Sequence, residues 1–387
     1  MNIVYLISTL KRNSGKGGHY NSLKTIANEI ATFNNVTVIN IGVNDSPVLS
    51  EETNSFNYIF LRIGKFSLLT SFRRLNDRAV TLNPEIIHCF DRSSFLWGSY
   101  ISEELKLGLF LTKCGGRIPK WFPKIKNLIV FNPRDFDFFN EKFSTGIKVY
   151  LIPNRVGLIK PDHERIDRLR SQYVKDGELV LLRIARFSQL NLKSIEQSIN
   201  LVRSLSGKIK IRLIVIGDDQ DKHVYESVLS MANDSNISII SDPFFTRGAQ
   251  QLIPVSDAVI SSGRSLMEAA YFERPVLVPN QNFDIPVLLS EKTFSKSFYE
   301  NFSYRTDFNG FSIVKESVLR DIYDVLTNDD SKSVNRDFLQ KINSQYFLLA
   351  PAIPKYMNLY ANSEYAPYDS LKTDFLINFF HVYRGVI

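Results

Sequence analysis

At 387 residues, with 44% apolar and 22% charged side chains, the chain is an ordinary globular protein too long for one core, so two domains are expected. Two cysteines, Cys89 and Cys114, exclude a disulfide framework and a zinc site built on paired cysteines, and no apolar run reaches the length of a membrane span or a signal peptide's core. Residues 1–155 hold 20 Lys+Arg against 12 Asp+Glu, a charge of +8, while the remainder carries −1; the first half therefore either meets an anionic partner (nucleic acid, acidic lipid headgroups, a phosphorylated lipid) or presents a solvated basic face.

Residues 2–7 read as a buried strand, followed by the loop Ser14-Gly15-Lys16-Gly17-Gly18-His19. A helix follows with Leu23, Ile26, Ala27, Ile30 and Ala31 on one face, and residues 36–41 return as a strand. The glycine loop of this βαβ opening matches neither the dinucleotide fingerprint nor a Walker loop. Residues 58–62 predict a strand and 68–78 a helix rich in Arg73, Arg74 and Arg78. Residues 85–90 are a strand that carries His88 and runs into Asp91. A histidine near a strand's carboxyl end either lines a cleft or is a hydrogen-bonded core residue. A strand over 109–112 ends in Lys113-Cys114-Gly115-Gly116-Arg117. Lys120, Lys124 and Lys126 then surround Trp121 and Phe122, a mixture that suits a membrane interface or an irregular surface loop. Strands over 127–131 and 149–153 close the first half. Residues 161–177 are charged, carry no apolar stripe, and are expected to be a linker.

A second doubly wound half begins with a strand over 179–185. Its loop runs from Arg186 to Lys193 and leads into a helix with Ile195, Ile199 and Val202. Strands over 211–216, ending in Gly217-Asp218-Asp219, and over 237–240 follow. The stretch 257–279, DAVISSGRSLMEAAYFERPVLVP, reads as strand, polar loop (Ser261, Ser262, Gly263), helix from Ser265, and strand. Such a unit aims unpaired helix N–H groups at an anion. Ser265 and Glu268 also fit a capping box, in which Glu268 would only reach back to the helix start. A helix over 284–291, another over 314–326, and a helical pattern over 338–360 broken by Pro351 and Pro354 complete this half. Residues 371–387 form an apolar helix with Phe375, Phe379, Val382 and Tyr383, expected to pack under the first domain, with membrane contact as the alternative.

In order and spacing these motifs resemble glycosyltransferase family 4, the retaining GT-B transferases. The resemblance spans roughly residues 2–360. Gly263, Glu268, Ala269, Pro275 and Val276 match its donor signature, whereas Ile260 stands where the family has a first glutamate and Ser261 where it has a glycine. Ile152-Pro153-Asn154-Arg155-Val156 is similar to its hinge, with Arg155 for glycine. The resemblance implies a GT-B fold: an N-terminal Rossmann-like acceptor domain over 1–155, a linker over 156–178, and a C-terminal nucleotide-sugar domain over 179–344. Residues 345–387 would cross back to the first.

The activity it implies is transfer of a hexose from a nucleotide-diphosphate sugar, a UDP-sugar, to a hydroxyl of a lipid-linked glycan in surface polysaccharide synthesis. The setting would be cytoplasmic, with attachment to an anionic membrane surface and no nucleic-acid partner. Arg186 and Lys193 would clamp the diphosphate and Glu268 the ribose. The turn Gly17-Gly18-His19 would come close to the donor diphosphate and the acceptor, and His88 and Asp91 would line the substrate cleft. Lys113 or Arg117 would meet an acceptor phosphate. Ser261, Ser262, Gly263, Arg264 and Ser265 would surround the donor. No cofactor or metal is implied, since two fixed cations compensate the leaving diphosphate's charge. A non-hydrolysing sugar-nucleotide epimerase of the same fold, or a two-domain sugar-binding protein without turnover, are the alternatives; for the epimerase, no convincing pair of acid and base groups is found.

Overall fold

The computed structural model describes residues 1–11, 14–64, 67–143, 146–309, 314–367 and 371–386, without the side chains of 371–374. The chain divides into two compact units: Met1–Gly157 with Leu349–Ile387, and Leu158–Leu348.

The first unit runs β1 (Asn2–Thr9), α1 (Gly18–Ala31), β2 (Asn35–Gly42), β3 (Asn57–Arg62), α2 (Leu68–Leu82), β4 (Ile86–Cys89), α3 (Phe95–Leu105), β5 (Gly108–Lys113), β6 (Asn127–Val130), α4 (Pro133–Lys142) and β7 (Lys148–Leu151). Its seven strands form one parallel sheet in the order β3-β2-β1-β4-β5-β6-β7. Both faces are covered, which is why the strands are continuous apolar runs. Successive residues of β1 alternate between two cores: Val4 and Leu6 join Leu75 and Trp97 on one side, while Ile3, Tyr5 and Ile7 join Leu23 and Ile26 on the other. Each such burial contributes roughly 1.5–3 kcal/mol. Helix α4 starts where Asn132 accepts from the Asp135 N–H at 2.9 Å and Pro133 fills the first helical position.

The second unit runs α5 (His163–Tyr173), β8 (Leu179–Ile184), α6 (Gln189–Leu205), β9 (Ile211–Ile216), α7 (Lys222–Met231), β10 (Ile237–Ile240), the short α8 (Pro243–Thr246), β11 (Ala258–Ile260), α9 (Arg264–Tyr271), β12 (Val276–Val278), β13 (Val287–Leu288), α10 (Glu291–Tyr299), α11 (Lys315–Thr327) and α12 (Asp329–Ile342). The sheet order is β10-β9-β8-β11-β12-β13, parallel except for β13 at the edge.

Two expectations fail here. The segment expected to be a linker without a core element contains α5, capped by Asp162 and burying Ile166 and Leu169. Two apolar residues suffice because arginines supply the rest: Arg165 donates to the carbonyls of Phe245 and Arg247, and Arg170 to that of Val255. The helix expected over 284–291 is instead edge strand β13; Pro286 is incompatible with a helix interior, and α10 begins only after Ser290 and Thr293 form their capping box.

After α12 the chain rejoins the first unit through α13 (Ile353–Ala361) and α14 (Leu371–Val386). Helix α13 inserts Tyr356 and Tyr360 into the core beside α1. Helix α14 buries Val382 and seats Phe375 and Phe379 against the other core, so it packs on the sheet's helical layer as expected. Its opposite side leaves Leu376, Ile377, Phe380 and Tyr383 exposed. Ile387 lies outside the described residues. Among the described residues no helix is long and apolar enough to cross a membrane.

Candidate functional site

Each sheet reverses its winding direction once, between β1 and β4 in the first unit and between β8 and β11 in the second. Ligands of open parallel sheets bind outside the carboxyl ends of the strands at these switch points.

In the second unit the switch point gathers most of the donor residues inferred from sequence. The turn after β8 is pressed against the turn after β9: a Cβ on Gly217 would lie 1.7 Å from the Ala185 carbonyl oxygen. Phe187 N–H donates to the Asp218 carbonyl at 2.9 Å and its ring is buried, which fixes the loop and leaves Arg186 pointing out. Lys193 lies within α6, which begins at Gln189, earlier than the sequence indicated. Both side chains are exposed, and among the described residues neither meets a carboxylate. The turn after β11 is Ser261-Ser262-Gly263. Gly263 adopts φ 59°, ψ −129°, which only glycine takes without strain, and α9 starts at the next residue. Ser261 is buried with its hydroxyl unpartnered.

Glu268 does not close a capping box. Ser265 Oγ donates to the Ser262 carbonyl at 3.0 Å, and Glu268 Oε1 instead accepts from Arg264 Nε at 2.9 Å. Burial pushes the Glu268 carboxyl above the usual carboxylate range, and the Arg264 guanidinium opposes that shift.

One residue at this switch point escaped the sequence reading. Arg183, fully buried in β8, sits in register opposite Ile260. Its Nη1 donates to the Ile260 carbonyl at 3.1 Å and its Nη2 to Ser194 Oγ at 2.7 Å. Burial lowers its pKa to about 10, so it stays charged at neutral pH, and no carboxylate among the described residues pairs with it. Arg183 thus ties the end of β11 to the first turns of α6, the two segments that carry Ser261 and Lys193. An arginine inside the apolar run Leu179–Ile184 was the available signal, because a buried charge requires fixed partners.

In the first unit the structure corrects three assignments. His88 is wholly buried in β4; Nδ1 lies 2.7 Å from Tyr360 Oη and Nε2 2.7 Å from Thr112 Oγ1, and burial depresses its pKa to about 3. It is a neutral core residue, since β4 lies between β1 and β5. Asp91 accepts from Ser8 N–H at 2.7 Å, Ser8 Oγ at 2.9 Å and Ser94 N–H at 2.8 Å, so its carboxylate fastens the end of β1 to the start of α3. Lys113 is buried; its Nζ lies 2.6 Å from Asp135 Oδ2 and 2.9 Å from the Gly115 carbonyl, which removes it from any ligand phosphate. Gly17 and Gly18 open α1 with ordinary negative φ, and a Cβ on Gly18 would meet nothing within 4 Å, so neither fold nor close approach demands a glycine there. The His19 ring lies tilted against that of Tyr20, with centroids 4.0 Å apart. Among the described residues no cluster of His, Cys, Asp or Glu could hold a metal ion.

No protein-family model matches the chain, and a search of curated protein sequences finds no match. Solved structures do match. The Anabaena protein HepE, in complex with UDP and glucose, superimposes with a TM-score of 0.66 at 15% identity, covering 94% of this chain and 100% of that one. A glycosyltransferase from Rickettsia africae gives 0.67 at 14% identity over 93% and 98%. WaaG, a glycosyltransferase involved in lipopolysaccharide biosynthesis, gives 0.55 at 12% identity over 92% and 99%. The chain has the GT-B fold.

Proposed function

We propose that the protein is a retaining, metal-independent glycosyltransferase. It moves a hexose from a UDP-sugar to a hydroxyl of a lipid-carried glycan in surface polysaccharide synthesis, at the cytoplasmic face of a membrane. The observation that carries the reading is the pair Arg186 and Lys193: two exposed cations without a carboxylate partner among the described residues, at the switch point of the second sheet. UDP in the HepE complex and the role stated for WaaG support the donor and the pathway class.

The chemistry follows from charge. Breaking the bond between the anomeric carbon and UDP leaves an electron pair on the diphosphate, and fixed cations there lower the barrier. Arg186 and Lys193 supply that compensation, aided by the N-terminus of α9. Glu268, its Oε1 held by Arg264, offers Oε2 to the ribose hydroxyls. Arg183 positions both loops. No side chain acts as nucleophile: the acceptor oxygen attacks on the face from which UDP leaves and passes its proton to a diphosphate oxygen. Mass spectrometry of UDP-sugar incubations tests the reading. Release of UDP with transfer or slow hydrolysis is expected; an isomerised sugar, or no turnover with any donor, would overturn it.

A further inference from the structure

At the carboxyl ends of β1, β2 and β3, on the β2–β3 side of the switch point, the first unit opens into a cavity of about 910 Å³. The Val43 N–H donates to the Thr9 carbonyl at 2.9 Å and the Ile63 N–H to the Gly42 carbonyl at 2.8 Å. The three strands therefore end level, and Lys11 and Arg62 leave the sheet at one edge. Arg74, on α2, completes a basic wall; its Nη1 donates to the Arg62 carbonyl at 3.1 Å, which fixes the guanidinium in place. Gly385 and Val386, in the last turn of α14, close another side. No carboxylate is among the described lining residues, and Lys11, Arg62 and Arg74 make no ion pair among the described residues.

Helix α14 places His381 near this wall. His381 lies 2.6 Å from Arg92 Nη2, and its pKa is lowered by burial and then by the charges of Arg92 and Lys11. Lys11, Arg62 and Arg74 are all exposed to the cavity's solvent, and no described lining residue carries a negative side chain. The volume suits a ligand larger than a bare phosphate. Helix α14 also presents Leu376, Ile377 and Phe380 to solvent, and Phe72 of α2 meets its Phe375 at 5.6 Å, so the basic wall and the apolar face belong to neighbouring helices.

We propose that this cavity binds the phosphate of an ester ligand, with Lys11, Arg62 and Arg74 as its contacts and the rest of the ligand extending toward α14. This rests on the transferase reading for its role, which is to hold the phosphate of the acceptor. A lipid headgroup and a free phosphate ester share the recognised chemistry.

Two arms separate these sources: binding to phosphatidylcholine vesicles with and without phosphatidic acid, and binding of glycerol 1-phosphate in solution. The expected result is binding in at least one arm that falls about tenfold or more in Arg62→Gln/Arg74→Gln, since each lost charge-assisted contact is worth up to about a decade. Binding only to the vesicles assigns a lipid headgroup; binding of both assigns the ester itself. Arg73→Gln/Arg78→Gln removes equal charge from α2 outside the cavity and should leave binding unchanged. The His381 ring, followed by NMR, should titrate at higher pH when the ligand is bound. The proposal is overturned if neither probe binds, if both double variants weaken binding equally, or if His381 does not move. UDP affinity on the same samples keeps the two readings apart: UDP bound without phosphate refutes the cavity alone, and no UDP binding refutes the transferase.

Discussion

Arg264 Nε donates to Glu268 Oε1 at 2.9 Å, one helical turn away, so the carboxylate expected to serve the ribose is already held by its own helix. Glu268→Gln should preserve the fold, because the glutamine carbonyl keeps the shape and can still accept from Arg264 Nε, while the burial cost of the carboxylate disappears. UDP affinity should fall about tenfold as charge-assisted hydrogen bonds become neutral ones. The wild-type carboxyl titrates above the usual range, so affinity should decline as pH drops through that raised pKa, while Glu268→Gln should give a flat profile. Calorimetric titration with UDP across pH, alongside melting curves, checks both; unchanged affinity in a stable variant removes Glu268 from the site.

Arg186→Ala and Lys193→Ala should each lower kcat about 10²–10³-fold, the loss seen when one transition-state donor is deleted. Their melting temperatures should not move, since both side chains are exposed and unpartnered among the described residues. Turnover should persist in EDTA. Loss that manganese restores would show that a metal, rather than this pair, compensates the diphosphate.

His88 gives the first unit an acid-labile joint. Its folded pKa, about 3, lies below the ordinary 6.5, so the unfolded chain takes up a proton that the folded one refuses. The stabilisation is complete above about pH 6.5 and is lost as pH falls toward 3, at up to about 1.4 kcal/mol per pH unit. Urea midpoints measured from pH 7 to 4 should fall less steeply in His88→Gln. Parallel curves would mean that other groups govern acid stability.

Lys113 and Asp135 should behave as a buried pair. Lys113→Ala should cost up to about 3–5 kcal/mol, because Asp135 stays buried and keeps as cation only Arg134, 3.6 Å away. Lys113→Met/Asp135→Leu should recover most of that and retain glycosyl transfer. A folded, inactive double variant would return Lys113 to the ligand.

What was legible in the sequence followed from local pattern. The runs Leu179–Ile184 and Ile211–Ile216 are recognisable as buried parallel strands, and the loop after Ile260 as a strand-to-helix turn. Helix α3 was not, because Phe95, Leu96 and Trp97 are consecutive and its polar residues fall only in the second half, which blurs the helical period. The first-unit assignments failed for a different reason. The groups that occupy His88 and Lys113 are Tyr360 and Asp135, 272 and 22 residues away, and no spacing rule reaches them. The Arg264–Glu268 pair, at i and i+4, was within reach of such a rule and competed with the capping box for the same glutamate.

The hydrogen bond between His88 and Tyr360 also sets a timetable for synthesis. All seven strands of the first sheet have been made once Leu151 is added, yet the hydroxyl that meets both His88 and Tyr5 arrives 272 residues after the histidine. At about 5–20 residues per second this is a delay of roughly 15–50 s. Throughout it the second unit is translated in full while the face that α13 will cover stays wet. The nascent chain therefore carries an unfinished first unit ahead of a complete second one until Tyr360 is added.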